Sequence, residues 1–217
     1  MQARVTTRAS RSRWGWWGLW LALAVLLFVG VGGAGGGARA YSRAAWGGFI
    51  DEDRNCRDTR QEVLIRDSLK PVLWREDDRQ DRHCEVAWGE WRDPWSGEVL
   101  NDPMKVDIDH HVPLAEAHRS GGSTWNVARR RAYANDLAFD GHLRALSAHT
   151  NRQKGDKGPA RWRPARKEAW CLYAKDWSLV KLAWGLQATE AERLAIREMG
   201  RTCRDPSTPT LLDRPAG

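Results

Sequence analysis

The sequence predicts an α+β fold in which short strands and helices surround one core and disulfides staple the whole. Three observations predict it. Short runs such as Cys84, Val86, Trp88 and Val106, Ile108 carry the two-residue period of half-buried strands. Trp170, Tyr173, Trp177, Val180 and Trp184 recur at three- and four-residue steps, the period of a helix face buried in a core. All four cysteines (56, 84, 171 and 203) lie beyond an N-terminal stretch that reads as an export signal, where an even number predicts two bridges.

That stretch comes first in the chain. Arg4, Arg8, Arg11 and Arg13 stand with no acid nearby, and an apolar run from Trp14 decays into glycine and ends in Ala38-Arg39-Ala40. A basic start, apolar middle and small-x-small exit make a secretory signal peptide with cleavage after Ala40. Uncleaved, residues 14–31 are just long enough to act as an anchor, the one route to a membrane this sequence offers. Either way residues 41–217 are expected outside the cytoplasm, secreted or surface-held. The expected organisation is a leader over 1–40, one domain over 41–204 and a disordered Pro/Ser/Thr-rich tail over 205–217.

The 35 basic and 28 acidic residues give a net charge of +7, but five of the arginines lie in the leader, which leaves only +2 beyond it. The overall charge is therefore no argument for nucleic acid, and any electrostatic footprint must be local. One local cluster exists: Arg152, Lys154, Lys157, Arg161, Arg163, Arg166 and Lys167. No C-x-x-C occurs, which argues against a cysteine zinc site. Of the three possible cysteine pairings, closeness in sequence favours Cys56–Cys84 and Cys171–Cys203.

Residues 41–55 read as an exposed leading segment. Thr59 with Glu62 predicts a capping box for a short helix stopped by Pro71. Asp93-Pro94-Trp95-Ser96-Gly97 is a turn. Val106 and Ile108 form a strand running into Asp109-His110, and Pro113 opens a helix over Leu114 to His118 that Gly121-Gly122 ends. Residues 124–137 read as helix, 143–147 as a strand and 148–154 as a helix. The tryptophan stripe closes at Gly185, and Thr189 with Glu192 caps a last helix to Met199.

The residues that this core pattern leaves over carry the chemistry. Asp109 and His110 close one strand, His142 opens the next, and Asn151 and Lys154 share a face of the following helix. Strand, loop, strand, helix is a ββα order that can gather all five. An Asp oxygen and an Asn oxygen suit a hard divalent cation, Mg²⁺ or Mn²⁺. A neutral His takes a proton from water, and Lys154, Arg152 and Lys157 match phosphate oxygens. Together these parts suffice for metal-assisted hydrolysis of a phosphodiester. Asp107 shares the alternating face of Asp109 and reads as a surface carboxylate or as an acid that supports the site, and Asn135-Asp136 reads as a helix C-cap or as a pair reaching the site.

DIDHHVPL at 107–114 and HLRALSAHTNRQKGDKGPARW at 142–162 together resemble the HNH endonucleases of the ββα-metal, or His-Me finger, group. The resemblance is greatest to the branch that contains the C-terminal domain of GmrSD-type restriction enzymes and exported bacterial nucleases. It covers residues 50–203 and is strongest over 104–164. It implies that Asp109, His110 and Pro113 form the acid-His-x-x-Pro element, with His110 rather than His111 as the base. It implies that His142 holds the middle place, usually Asn, and that Asn151 and Lys154 hold the last, usually His and Lys. Ser147 and Thr150 fall where many relatives carry one cysteine pair of a zinc knuckle, so disulfides are expected to replace that metal.

The implied activity is that of an exported, divalent-metal-dependent nuclease, a monomer without an organic cofactor, acting on DNA more readily than RNA. His110 and His142 would serve catalysis, and Asp109 and Asn151 would hold the metal. An ordinary imidazole predicts a fall in rate below about pH 6. Two alternatives share the fold: a binding module without turnover, and a hydrolase of a phosphodiester that is not nucleic acid.

Overall fold

In a computed structural model, residues 40–76 and 83–203 are described; the rest of the expected leader and the whole expected tail lie outside the described residues. The chain is mixed α+β, with antiparallel strand pairs, six α-helices and two disulfides among the described residues.

Helix α1 spans Thr59–Asp67 and packs Val63 and Leu64 inward. Its N-cap is Asp58, whose carboxylate accepts from the Gln61 N–H, rather than Thr59 as the capping-box pattern suggests. Thr59 instead turns its hydroxyl to Asn135 Oδ1 at 2.7 Å. Two small antiparallel pairs follow: β1 (Leu73–Trp74) with β2 (Val86–Trp88), and β3 (Trp91–Arg92) with β4 (Val99–Leu100). The Asp93–Gly97 turn joins the second pair, with Asp93 Oδ1 accepting from the Trp95 and Ser96 N–H groups.

The third pair organises the molecule. Strand β5 (Val106–His110) runs antiparallel to β6 (Leu143–Ser147), with Asp109 opposite Arg144 and His110 opposite Leu143. Val106, Ile108, Leu143 and Ala145 face α1 and join Val63, Leu64, Val86, Trp91 and Leu100 in one apolar cluster. By strand alternation Asp107 and Asp109 lie on the other face. Between β5 and β6 run α2 (Leu114–Arg119) and α3 (Val127–Ala134), and β6 passes directly into α4 (Ala148–Lys154).

Two helices complete the second cluster. Helix α5 (Trp170–Trp184) ends where Gly185 takes φ 67°, a left-handed conformation in which glycine carries no side-chain penalty. Helix α6 (Glu190–Gly200) begins with the full Thr189–Glu192 capping box. Tyr173, Trp177 and Val180 of the predicted stripe are buried with Ile196 and Met199, whereas Trp170 and Trp184 pack at the edge. Fully buried Lys181 joins the helices here, donating to Glu116 Oε1, Ser120 Oγ and the Gln187 carbonyl, with Glu192 beside it. The disulfides are Cys56–Cys84 and Cys171–Cys203, the pairing that closeness in sequence favours.

The leading segment departs from expectation at one buried residue. Trp46, on the single 3₁₀ turn Arg43–Trp46, is buried against Tyr133 and Trp125. The Asn135 amide bonds both the Gly48 carbonyl and the Ile50 N–H, so a segment that is largely exposed, as expected, is anchored to the core through Trp46 and these two bonds. Helix α3 is also shorter than residues 124–137, because Asn126 caps it at one end and Asn135 stops it at the other.

Candidate active site

The site is built where β5 ends. Asp109 and His110 are both buried in the fold yet reach a cavity of about 340 Å³, which Asn151, Arg152, Pro113 and Arg43 also line. The strand supplies the acid and the imidazole, the first turn of α4 supplies the amide, and the leading segment supplies an arginine. Asp109, His110 and Asn151 thus line one space.

The geometry around His110 fixes its tautomer. Its Nε2 lies 2.9 Å from the Ala134 carbonyl oxygen, which can only accept, so Nε2 carries the proton and Nδ1 keeps its lone pair. His142 does the same one residue earlier, with Nε2 donating to the Tyr133 carbonyl at 2.7 Å. The side chain and N–H of Asn135 take the Arg131 and Ala132 carbonyls. All four carbonyls that the C-terminus of α3 leaves without helical partners are therefore satisfied, two of them by histidines of the strand pair. Near-parallel rings of Phe49 and Tyr133 flank His110 at 6.0 and 6.2 Å.

Burial, with the nearby His142, pushes the His110 pKa down from 6.5 to about 3. The imidazole is neutral not only near pH 7 but well below pH 6. The fall in rate that an ordinary histidine predicts is therefore shifted to much stronger acid. Burial lowers His111 and His142 as well.

Lys154 occupies an unexpected place. The sequence reading puts it on a flanking phosphate, but its side chain is fully buried and does not line the cavity. Its ammonium donates to Asp109 Oδ1 at 3.0 Å and to the His110 carbonyl at 2.9 Å, and it lies 2.7 Å from Asp109 Oδ2. Burial pushes the Asp109 carboxyl up and the Lys154 ammonium down, against their mutual attraction. The i, i+3 spacing correctly places Asn151 and Lys154 on one face of α4; it says nothing of depth.

The remaining expected residues divide. Arg152 is exposed and lines the cavity. Lys157 donates to the Gln153 carbonyl at the end of α4, away from the cavity wall. His142 is buried behind His110, its ring 6.0 Å away and edge-on, and is not a lining residue. His111 turns into the other cluster, with Nε2 donating to the Tyr173 carbonyl. Ser147 caps α4 through the Thr150 N–H and donates to Asp93 Oδ2, so hydrogen bonds fill the places of the missing knuckle cysteines.

Asp109 and Asn151 fit a hard cation. Asn151 Nδ2 donates to Asp107 Oδ2 at 2.9 Å, which leaves Oδ1 as the uncommitted atom of that amide. Asp109 Oδ2 is buried and accepts no aligned hydrogen bond, although Lys154 stands beside it as a counter-charge. Two oxygens from separate elements suit an ion that keeps several of its own waters. Among the described residues no group of three or more His, Cys, Asp or Glu side chains could hold a metal, so a fully protein-caged ion does not fit here. Tyr41, Arg43 and Asp156 are among the lining residues that sequence reasoning missed, and no periodicity or motif marks Tyr41 or Arg43.

The family model for the C-terminal domain of GmrSD restriction endonucleases matches residues 58–199. An uncharacterized secreted protein from Arthroderma benhamiae is 36% identical over 163 residues, which covers 75% of this chain and 76% of the relative. No solved structure matches the chain significantly.

Proposed function

The chain belongs to the family of GmrSD restriction endonuclease C-terminal domains, and from that premise we propose that it is an exported, divalent-metal-dependent endonuclease with an HNH-type ββα site. One observation carries the proposal: Asp109, His110 and Asn151, from two elements distant in sequence, line one cavity.

The family is that of nucleases of restriction enzymes, which favours DNA as substrate. The two disulfides and the secreted relative favour export, and no helix among the described residues is long and apolar enough to cross a membrane.

The residues act as follows. His110, with its proton on Nε2 held by the Ala134 carbonyl, takes a proton from water at Nδ1. The hydroxide formed attacks phosphorus in line, the bond to the 3′ oxygen breaks, and that oxygen takes a proton from solvent. Asp109 and Asn151 would hold Mg²⁺ or Mn²⁺, which supplies positive charge to the phosphate oxygens as negative charge develops there. Arg152 binds a phosphate oxygen from the rim. Lys154 neutralises Asp109 from behind and holds the end of β5 in place. His142 positions the carbonyl ladder on which His110 hangs.

The test is nicking of supercoiled plasmid by the purified protein with Mg²⁺ or Mn²⁺, with and without EDTA. His110→Gln accompanies it, because glutamine keeps an N–H donor for Ala134 but has no basic nitrogen. Metal-dependent nicking that the variant loses, at an unchanged melting temperature, is the expected result. No cleavage of DNA or RNA alongside turnover of a small phosphodiester would move the substrate elsewhere. No turnover of any of them would remove the enzyme reading.

A further inference from the structure

Lys154 is buried beneath Asp109 and Lys157 is occupied at the end of α4, so the cavity needs a different source of positive charge for a substrate strand. Two arginines supply it. Arg152 on α4 and Arg43 on the leading segment both line the cavity beside Asp109 and His110, and both are exposed. Neither forms an ion pair or side-chain hydrogen bond with any described residue. Arg119, by contrast, is spent on Glu116 and Asp156. An arginine left without a carboxylate beside a polar cavity keeps its planar donor fork for an anion.

Arg43 does not sit there by accident of a loose terminus. Three residues on, Trp46 is 1% exposed and packs edge-on against Tyr133 at 5.4 Å. The same segment places Phe49 on the His110 ring and is tied by Asn135 at Gly48 and Ile50. Arg43 is near enough for its charge to act on the His110 imidazole. It also lies outside residues 58–199, the span that the family model matches.

We infer that Arg43 is a substrate-binding residue: together with Arg152 it grips backbone phosphates of a nucleic-acid strand on either side of the bond to be cut. This rests on the nuclease reading above and adds the leading segment to the site. Such a contact is sequence-independent and binds ground and transition states alike, so it acts on affinity and KM rather than on kcat.

The test measures binding of a fluorescent DNA oligonucleotide in EDTA, where no cleavage occurs, across a salt series, followed by KM and kcat with Mn²⁺. The purified proteins are wild type, Arg43→Ala, Arg43→Lys and Arg92→Ala. Arg92 is an exposed arginine on β3 that does not line the cavity. Arg43→Ala is expected to weaken binding about ten-fold, to lower the salt slope by about one and to raise KM with kcat nearly unchanged. Arg43→Lys is expected to keep most of the salt slope, and Arg92→Ala to match wild type.

If Arg43→Ala binds and cuts like wild type while wild type is active, the inference is wrong and the nuclease reading stands. If Arg92→Ala weakens binding as much as Arg43→Ala, the effect is general charge and the inference is also wrong. A wild type that neither binds nor cuts DNA overturns the nuclease reading itself, which separates the two failures.

Discussion

Lys154 Nζ lies 3.0 Å from Asp109 Oδ1 and 2.9 Å from the carbonyl oxygen of His110, so the last residue of α4 ties down the last two residues of β5. Both side chains of the ion pair are withdrawn from water. Removing one partner of such a pair leaves a buried charge without compensation, at a cost of about 3–5 kcal/mol. Lys154→Met fills the same space without the charge and is expected to lower stability by that order in urea unfolding. Lys154→Met with Asp109→Asn, which removes both charges, is expected to recover more than half of the loss. Equal losses in the single and the double variant would show that packing rather than the ion pair holds the strand end.

How much of this site could be read from the residues differs from one segment to the next. The β5, β6 and α4 segments were legible because apolar alternation over 106–110 and 143–147 stops where helix-compatible residues begin, and the structure keeps the bounds of 143–147 and 148–154. Asp109, His110 and Asn151 were legible as the polar residues that this apolar pattern leaves over, although Asp109 and His110 prove to be buried. Depth was not legible: Lys154 shares a helix face with Asn151, but only the packing of α4 on β5 decides which of the two meets the cavity. Nor was the role of Trp46 and Phe49. Two aromatics about a Gly-Gly pair carry no period, and their partners Tyr133 and His110 lie more than sixty residues away.

Acid is expected to destabilise the fold well above the range where carboxylates titrate. His110 is held at about 3 in the folded chain against about 6.5 unfolded, and burial depresses His111 and His142 in the same direction. The unfolded chain therefore binds more protons below pH 6.5. Stability is full above that value and is lost as pH falls from 6.5 toward 3. Between pH 7 and pH 5 His110 alone accounts for about 2 kcal/mol, and the other two add to it. Urea unfolding across this range checks the slope, and His110→Gln is expected to flatten it by the His110 share. A stability unchanged between pH 7 and 5 would mean that these imidazoles are open to solvent.

The Cys171–Cys203 bridge joins the first turn of α5 to the residues just after α6, closing a loop of separation 32. Much of the second apolar cluster lies between those helices, including Tyr173, Trp177, Ile196 and Met199. A loop of this length constrains the unfolded chain by roughly 3–4 kcal/mol. Replacing both cysteines by alanine is expected to lower the melting temperature by about 6–16 °C in a chain of this size, with the native circular dichroism retained. An unchanged melting temperature would show that the helix pair is held by its apolar contacts and the Lys181 network alone.

Asp107 holds the amide of Asn151 in a chosen orientation. It stands two residues before Asp109 on the same strand face, and its Oδ2 accepts from Asn151 Nδ2 at 2.9 Å. A primary amide can turn end for end at little cost when nothing holds it, and a carboxylate accepts only from the nitrogen end. Asp107 therefore keeps the amide oxygen as the free atom, the one that a hard cation would use. Loss of such an orienting partner weakens metal affinity by roughly 10–100-fold. Asp107→Ala is accordingly expected to weaken Mn²⁺ binding by that order in calorimetric titration of the protein without substrate. Asp107→Asn, which keeps an oxygen acceptor but loses the charge, is expected to fall between the two. Cleavage at saturating Mn²⁺ should return toward the wild-type rate in both, because the base at His110 is untouched. Mn²⁺ binding to Asp107→Ala at wild-type affinity would show that the amide orients itself and that Asp107 is only a polar neighbour.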